Sequence, residues 1–144
     1  MSAAVAERTW CLTVPHHAAG ARLARHRLAA ELAGWIPPAL LSDVVAVLAE
    51  LVGNAVRHGD PLPGGVVRVA WSLRNGGALN GGALNGGAAV EVRVTDGGSA
   101  DAPRRRTPGP DETDGRGLTI VAALARRWGV DRDGLGQCVW AEFS

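Results

Sequence analysis

The stretch Glu50-Leu-Val-Gly-Asn-Ala-Val-Arg-His-Gly59 is the part of the chain that decides the fold. It forms the second half of an amphipathic segment that begins at Ser42, a residue suited to capping a helix, and ends at the helix-terminating Gly59. At 100° per residue the segment has one apolar face. The opposite stripe is polar and carries Asp43, Glu50, Asn54, Arg57 and His58. We therefore predict a helix over 42–58 that packs on a core through its apolar face.

Two residues of this helix are unusual for an interior turn. Asn54 is a poor mid-helix residue, and Gly53 beside it costs about 1 kcal/mol relative to alanine. An ordinary solvated stripe needs neither residue, whereas a helix that a ligand approaches closely has a use for both. The helix alone leaves these two interpretations open.

The rest of the chain alternates between strand and helix patterns. Residues 8–15, 67–73, 90–95 and 139–143 have the two-residue period of strands, and residues 17–35 and 118–128 have helical spacing. Together with the helix over 42–58, these patterns predict an α/β (α+β) two-layer sandwich, in which about three helices cover one face of a mixed, mainly antiparallel sheet. The strands are polar at alternate positions, so the other face is expected to be wet or to pair with another chain, as in a homodimer.

Two segments interrupt this single predicted domain, which spans 1–144. Residues 75–87 repeat Asn-Gly-Gly-Ala-Leu, a composition that supplies turns and buries no core, and they are predicted to be a flexible hairpin insert. Residues 99–114 are irregular and rich in proline, aspartate and arginine.

Glycine-containing motifs flank the second irregular segment. Asp96-Gly97-Gly98 follows a strand and is either an ordinary Asp-Gly turn or a carboxylate held at a sheet edge against a ligand. Gly115-Arg116-Gly117-Leu118 opens a helix and is either a flexible junction or a group of backbone amides that binds an anion such as phosphate.

The three motifs together resemble those of a known superfamily. Glu50-x-x-x-Asn54-x-x-x-His58, Asp96-x-Gly98 and Gly115-x-Gly117-Leu118 have the order and spacing of the N, G1 and G2 boxes of the GHKL (Bergerat-fold) ATPases. Within that superfamily the chain looks most like the stand-alone serine/threonine kinases of the anti-sigma-factor type. The resemblance covers essentially the whole chain and implies that residues 99–114 are an ATP lid.

The resemblance implies a role for each matching residue, with ATP and Mg²⁺ as cofactors. Glu50 corresponds to the general base that accepts a proton from a protein serine. Asn54 corresponds to the asparagine whose amide oxygen binds Mg²⁺ between the phosphates. Asp96 corresponds to the residue that accepts a hydrogen bond from the adenine amine, and Gly98 gives the base room.

On the phosphate side, the resemblance implies a cradle formed by Gly115, Arg116, Gly117 and Leu118. Arg57 and His58 belong to the same cofactor-binding set. Because the chain contains no lysine, any side-chain cation on the phosphates comes from Arg57 or Arg116.

The same resemblance implies partners. The expected substrate is a small anti-anti-sigma (STAS-type) protein, phosphorylated on serine, and the expected regulatory target is a sigma factor. An alternative is a non-catalytic, nucleotide-sensing module that controls partners through its lid. The detached ATPase domain of a sensor histidine kinase is less favoured, because Phe143 is the only phenylalanine and the F-box is missing. Ala100 stands where the G1 box usually has glycine.

Composition excludes other nucleotide chemistries. The absence of lysine rules out a P-loop, a protein-kinase-like fold and a Schiff-base enzyme. A net charge of +1 argues against nucleic acid as partner.

We expect no signal peptide, no apolar run long enough to span a membrane, and a cytoplasmic location. Cys11 and Cys138 lie in apolar runs and are expected to be buried thiols, with a disulfide as the minor alternative.

Overall fold

The computed structural model describes residues 7–75, 88–98, 118–134 and 136–144. They form five strands and three helices. In chain order these are β1 (Glu7–Pro15), α1 (Ala18–Leu32), α2 (Pro38–His58), β2 (Val66–Asn75), β3 (Ala88–Asp96), α3 (Leu118–Leu124), β4 (Arg127–Asp133) and β5 (Gly136–Phe143).

The strands make one open sheet in the order β1-β2-β3-β5-β4, and all four described strand pairs are antiparallel. The alternation seen in the sequence sets the register, so that Trp71 opposes Trp10 on one side and Val92 on the other. These side chains face the helices, and the Trp10 and Trp71 rings stack with centroids 6.1 Å apart. The predicted two-layer α+β sandwich is confirmed.

The core lies between the sheet and the helices. On α2 the fully or nearly fully buried residues are Val44, Val47, Leu48, Leu51, Val52 and Ala55. The helix packs against α1, α3 and the inner face of the sheet. Because α2 packs against both other helices and the sheet, its backbone has a fixed position relative to the ends of the strands.

Helix α2 begins earlier than predicted, at Pro38 rather than after a Ser42 cap. Pro37 has extended dihedral angles, and Pro38 occupies the first turn, where its fixed φ suits a helix and its missing N–H costs nothing. Pro38 therefore starts α2 instead of closing the preceding helix, and α1 ends at Leu32. Ser42 is an exposed residue inside α2.

The predicted helix over 118–128 is wrong beyond Leu124. Residues Arg127–Asp133 form β4 and pair with β5, so Arg127 opposes Glu142 rather than lying in a last helical turn. The sequence of β4 alternates as a strand should, and tertiary pairing overrides the helical spacing of Trp128. At Gly129 an added Cβ would lie 2.6 Å from the Trp140 ring, so the missing side chain leaves room for that indole.

The two cysteines are not buried as predicted. Cys11 is exposed and Cys138 is half-buried, and both are free thiols on the face of the sheet away from the helices. The apolar runs that contain them alternate between the two faces of the sheet, so each cysteine lies on the face opposite the core.

Helix α2 is also long and apolar enough, by length and composition alone, to cross a membrane. That corrects the expectation that no run qualifies. Its apolar face is nevertheless occupied by the protein core, and the core helix of a water-soluble domain meets the same criterion.

Candidate functional site

Asp96 is the only buried charged or polar residue among those that the structure describes, with 4% of its surface exposed. It is the last residue of β3, where the strand leaves the sheet beside the end of α2. One carboxylate oxygen, Oδ1, accepts a hydrogen bond of 2.6 Å from the Gly98 backbone N–H. The turn predicted from Asp-Gly-Gly therefore exists, and it also holds a buried carboxylate in a fixed orientation.

Backbone contacts join this turn to the segment that follows α2. The Asp60 N–H donates to the Gly98 carbonyl, and the Gly97 N–H donates to the Asp60 carbonyl, both at 2.7 Å. These reciprocal bonds tie the motif around Asp96 to the end of the Glu50–Gly59 motif. The tertiary structure thus brings together two sequence motifs that lie some forty residues apart in the chain.

Glycine is needed at three positions of this junction for different reasons. At Gly97 an added Cβ would lie 2.6 Å from the Pro61 carbonyl oxygen, and at Gly59 it would collide with the Asp96 carboxylate. At Gly98 an added Cβ would make only ordinary van der Waals contacts, at 3.8 Å or more, but its φ is +82°, a left-handed conformation that favours glycine. Two of these residues serve close packing, and one serves the shape of the turn.

The electrostatic surroundings of Asp96 act in both directions. Burial raises the pKa of the carboxyl above its ordinary value, the Gly98 N–H and the His16 side chain lower it, and Asp60 raises it. The net effect is a raised pKa. A buried carboxylate costs free energy unless donors satisfy it, so a further N–H donor placed against Asp96 would stabilise its ionised form.

The polar stripe of α2 is partly enclosed rather than fully solvated. Glu50 and Asn54 are each half-buried, as is Asp43, whereas Arg57 and His58 are exposed. Val47, which falls within the same arc of the helix, is completely buried. The stripe therefore forms a wall beside the core, with the acid and the amide one turn apart on it.

Asn54 and Arg57 contact each other directly. The Arg57 Nη2 donates a hydrogen bond of 3.0 Å to the Asn54 Oδ1. Gly53 leaves space for this arrangement, since a Cβ there would lie 3.0 Å from Arg57 Nη1. The amide oxygen of Asn54 is thus oriented towards a cationic group at the exposed end of the stripe.

A magnesium ion fits this donor set only together with a nucleotide. Among the described residues, no three His, Cys, Asp or Glu side chains gather where they could hold a metal ion. Mg²⁺ commonly keeps several waters and takes one or two protein oxygens plus substrate phosphates. The Asn54 Oδ1 is an oxygen of this kind, and it already accepts from a cation.

The remaining predicted site residues are placed as follows. Leu118 is half-buried at the start of α3 and packs against the core. Gly115, Arg116 and Gly117 lie outside the described residues, as do the predicted lid at 99–114 and most of the predicted insert at 75–87.

Sequence reasoning missed His16 and Asp60. The His16 Nε2 lies 3.0 Å from the Ala55 carbonyl oxygen and 2.9 Å from that of Gly59, so this side chain contacts the end of α2. The signal in the sequence was a pair of histidines directly after Pro15, and nothing local indicates that the first of them points to a distant helix.

Comparisons with known proteins agree with this architecture. A family model described as the histidine kinase-like ATPase domain matches residues 14–143. A search of curated proteins found no match to this sequence. The chain is similar to the crystal structure of the RsbU and RsbW domains of Rv1364c from Mycobacterium tuberculosis, with 22% identity and a TM-score of 0.64. That similarity covers 94% of this chain and 32% of the other, and at this identity it establishes the fold.

Proposed function

The chain belongs to the histidine kinase-like ATPase domain family, and from this premise we propose that it is a Mg-ATP-dependent protein serine kinase of the anti-sigma type. Its substrate is a small STAS-type anti-anti-sigma protein, and its regulatory target is a sigma factor in the cytoplasm. The resemblance of its three motifs to those of the stand-alone anti-sigma kinases supports this choice within the family.

The observation that carries the proposal is the buried carboxylate of Asp96. It is preorganised by the Gly98 N–H at 2.6 Å and by the packed end of α2. A carboxylate oxygen in such a place accepts a hydrogen bond from the exocyclic amine of adenine without a further cost of orientation. Its burial also means that the hydrogen bond is made away from competing water.

Asn54 and Glu50 are the phosphate-side residues of the proposal. Asn54 would hold Mg²⁺ through its Oδ1, the oxygen that accepts a hydrogen bond from Arg57 Nη2 in this structure. The ion, when bound, neutralises charge on the phosphates. Glu50, one turn before Asn54 and half-buried, accepts the proton of the attacking serine hydroxyl. Phosphoryl transfer is mainly positioning and charge neutralisation, and two side chains on one rigid helix contribute to that positioning.

His58 and the segment Gly115–Leu118 complete the proposed nucleotide site. We assign Gly115, Arg116 and Gly117 to the phosphates and residues 99–114 to the lid, on the strength of the motif resemblance.

The open face of the sheet carries the half-buried Trp140 among polar neighbours, and it is the surface that we assign to a homodimer.

The decisive experiment is transfer of labelled phosphate from ATP to a purified STAS-type protein in the presence of Mg²⁺. The wild type is expected to label a serine of that protein. Glu50→Gln is expected to bind ATP with unchanged affinity and to transfer phosphate about 10²- to 10⁴-fold more slowly, because it lacks a base. A wild type that binds nucleotide, controls its partner and labels no serine would instead support the non-catalytic sensing module.

A further inference from the structure

His16 lies between two segments that the fold must hold in register. It follows Pro15, the last residue of β1, and precedes His17, whose ring nitrogen caps α1 by accepting from the Ala19 N–H. The His16 backbone N–H donates to the Gly65 carbonyl at 3.0 Å, which fixes this residue beside the turn that enters β2. Its side chain is therefore held at its base and free to reach across to α2.

The His16 ring makes a specific contact with the end of α2. Its Nε2 lies 3.0 Å from the Ala55 carbonyl oxygen and 2.9 Å from the Gly59 carbonyl oxygen. Both partners are carbonyl oxygens and can only accept, so the proton is on Nε2 and this N–H donates to both of them. The Ala55 carbonyl also accepts the bond from the Gly59 N–H that ends the helix, at 3.0 Å, so the ring adds a second donor there and joins it to the Gly59 carbonyl just beyond α2.

The residue that His16 holds in this way is the one that packs against Asp96. A Cβ on Gly59 would lie 2.9 Å from Asp96 Oδ1 and closer still to its Cγ and Oδ2. Asp60, the next residue, is bonded on both sides to the Gly97–Gly98 turn. A shift of the Gly59 backbone would therefore move the atoms against which the Asp96 carboxylate packs, and with them the orientation of the carboxylate.

His16 also acts electrostatically on the Asp96 carboxyl. Within the described residues that surround Asp96, His16 lowers the pKa of the carboxyl, whereas burial and the neighbouring Asp60 raise it. His16 thus favours the ionised form, which accepts a hydrogen bond from an amine and donates none.

We propose that His16 is a positioning residue for adenine recognition: it anchors the end of α2 so that Gly59 and Asp60 fix the orientation of the Asp96 carboxylate. This inference rests on the proposed function, since it assumes that Asp96 receives the adenine amine. It adds a residue from the first strand-to-helix junction, outside the three motifs, to the specificity of the site.

Two substitutions of His16 separate the effect of its Nε2 hydrogen bonds from the effect of losing the imidazole ring. In His16→Gln the terminal amide N–H lies near the place of Nε2, and in His16→Asn the amide lies near the place of Nδ1 and is too short to reach α2. His17→Asn is the matched control, because His17 is the adjacent, exposed histidine. Binding of ATP and of inosine triphosphate, which has a carbonyl where adenine has its amine, is measured for each protein by calorimetry or by competition.

The expected result is a change in the ratio of the two affinities. His16→Asn is expected to lose about tenfold in affinity for ATP with little change for inosine triphosphate, while His16→Gln and His17→Asn keep the wild-type ratio within about threefold. Equal losses for both nucleotides in His16→Asn, or identical ratios in His16→Asn and His16→Gln, would overturn the positioning role. A wild type that binds neither nucleotide would overturn the proposed function itself, and the positioning role with it.

Discussion

Gly59, at which α2 ends, lies directly against the carboxylate of Asp96, at which β3 ends. The contact is so close that a Cβ on Gly59 would overlap the carboxylate. The φ of Gly59 is −102°, which any residue can adopt. Glycine is therefore required here by space rather than by backbone conformation, and the packing joins two motifs that the chain separates.

Gly59→Ala is expected to destabilise the fold by about 1–3 kcal/mol, because the new methyl group must displace a carboxylate that is already bonded to Gly98. Gly53→Ala is the matched control on the same helix. Its Cβ would meet only the flexible end of Arg57, and the change is expected to stabilise the helix by about 0.5–1 kcal/mol. Urea denaturation of both variants measures the difference. Equal effects of the two substitutions would contradict the contact.

Asp96→Asn is expected to separate stability from nucleotide binding. The amide oxygen can still accept from the Gly98 N–H, but the group left for the ligand is then a donor facing the adenine amine. ATP affinity should fall by about 10- to 100-fold, whereas the unfolding midpoint without nucleotide should stay the same or rise, since a buried charge has been removed. Thermal unfolding with and without ATP tests both. A lower midpoint accompanied by normal ATP affinity would refute the assignment.

The pH dependence of stability should follow the raised pKa of Asp96. Burial raises this pKa, so between its ordinary and its raised value the folded protein binds more protons than the unfolded chain. The free energy of unfolding contributed by this group must therefore fall as pH rises through that window. Urea midpoints of the wild type and Asp96→Asn, measured from acidic to neutral pH, should diverge as pH rises. A gap between the two proteins that does not change with pH would show that the carboxyl has no raised pKa.

Asn54→Ala is expected to remove the effect of magnesium on nucleotide binding. In the wild type, ATP should bind more tightly with Mg²⁺ than with a chelator, because Asn54 Oδ1 and the phosphates share the ion. In the variant the two affinities should agree within about threefold. Ser42→Ala, an exposed change near the other end of the same helix, serves as the control and should behave as wild type. Persistence of a full magnesium effect in Asn54→Ala would exclude Asn54 as the ligand.

Much of the fold could be predicted because local pattern and final structure agree there. The alternation in β1, β2 and β3 survives as register, and the apolar face of α2 survives as the core. Prediction failed where two local signals competed. Pro37-Pro38 reads equally well as the end of one helix and the start of the next, and Trp128 fits a helical stripe as well as a strand.

For the candidate site, too, some properties could be predicted from the sequence and others could not. The sequence by itself determined which chemical groups are available: an acid and an amide one helical turn apart, a carboxylate followed by two glycines, and no lysine for phosphate. Only the tertiary structure decided that Asp96 is buried, that it packs against Gly59, and that His16 holds the end of that helix. The physical reason is that burial, a shifted pKa and close packing are properties of groups from distant segments, and no single segment carries the information for them.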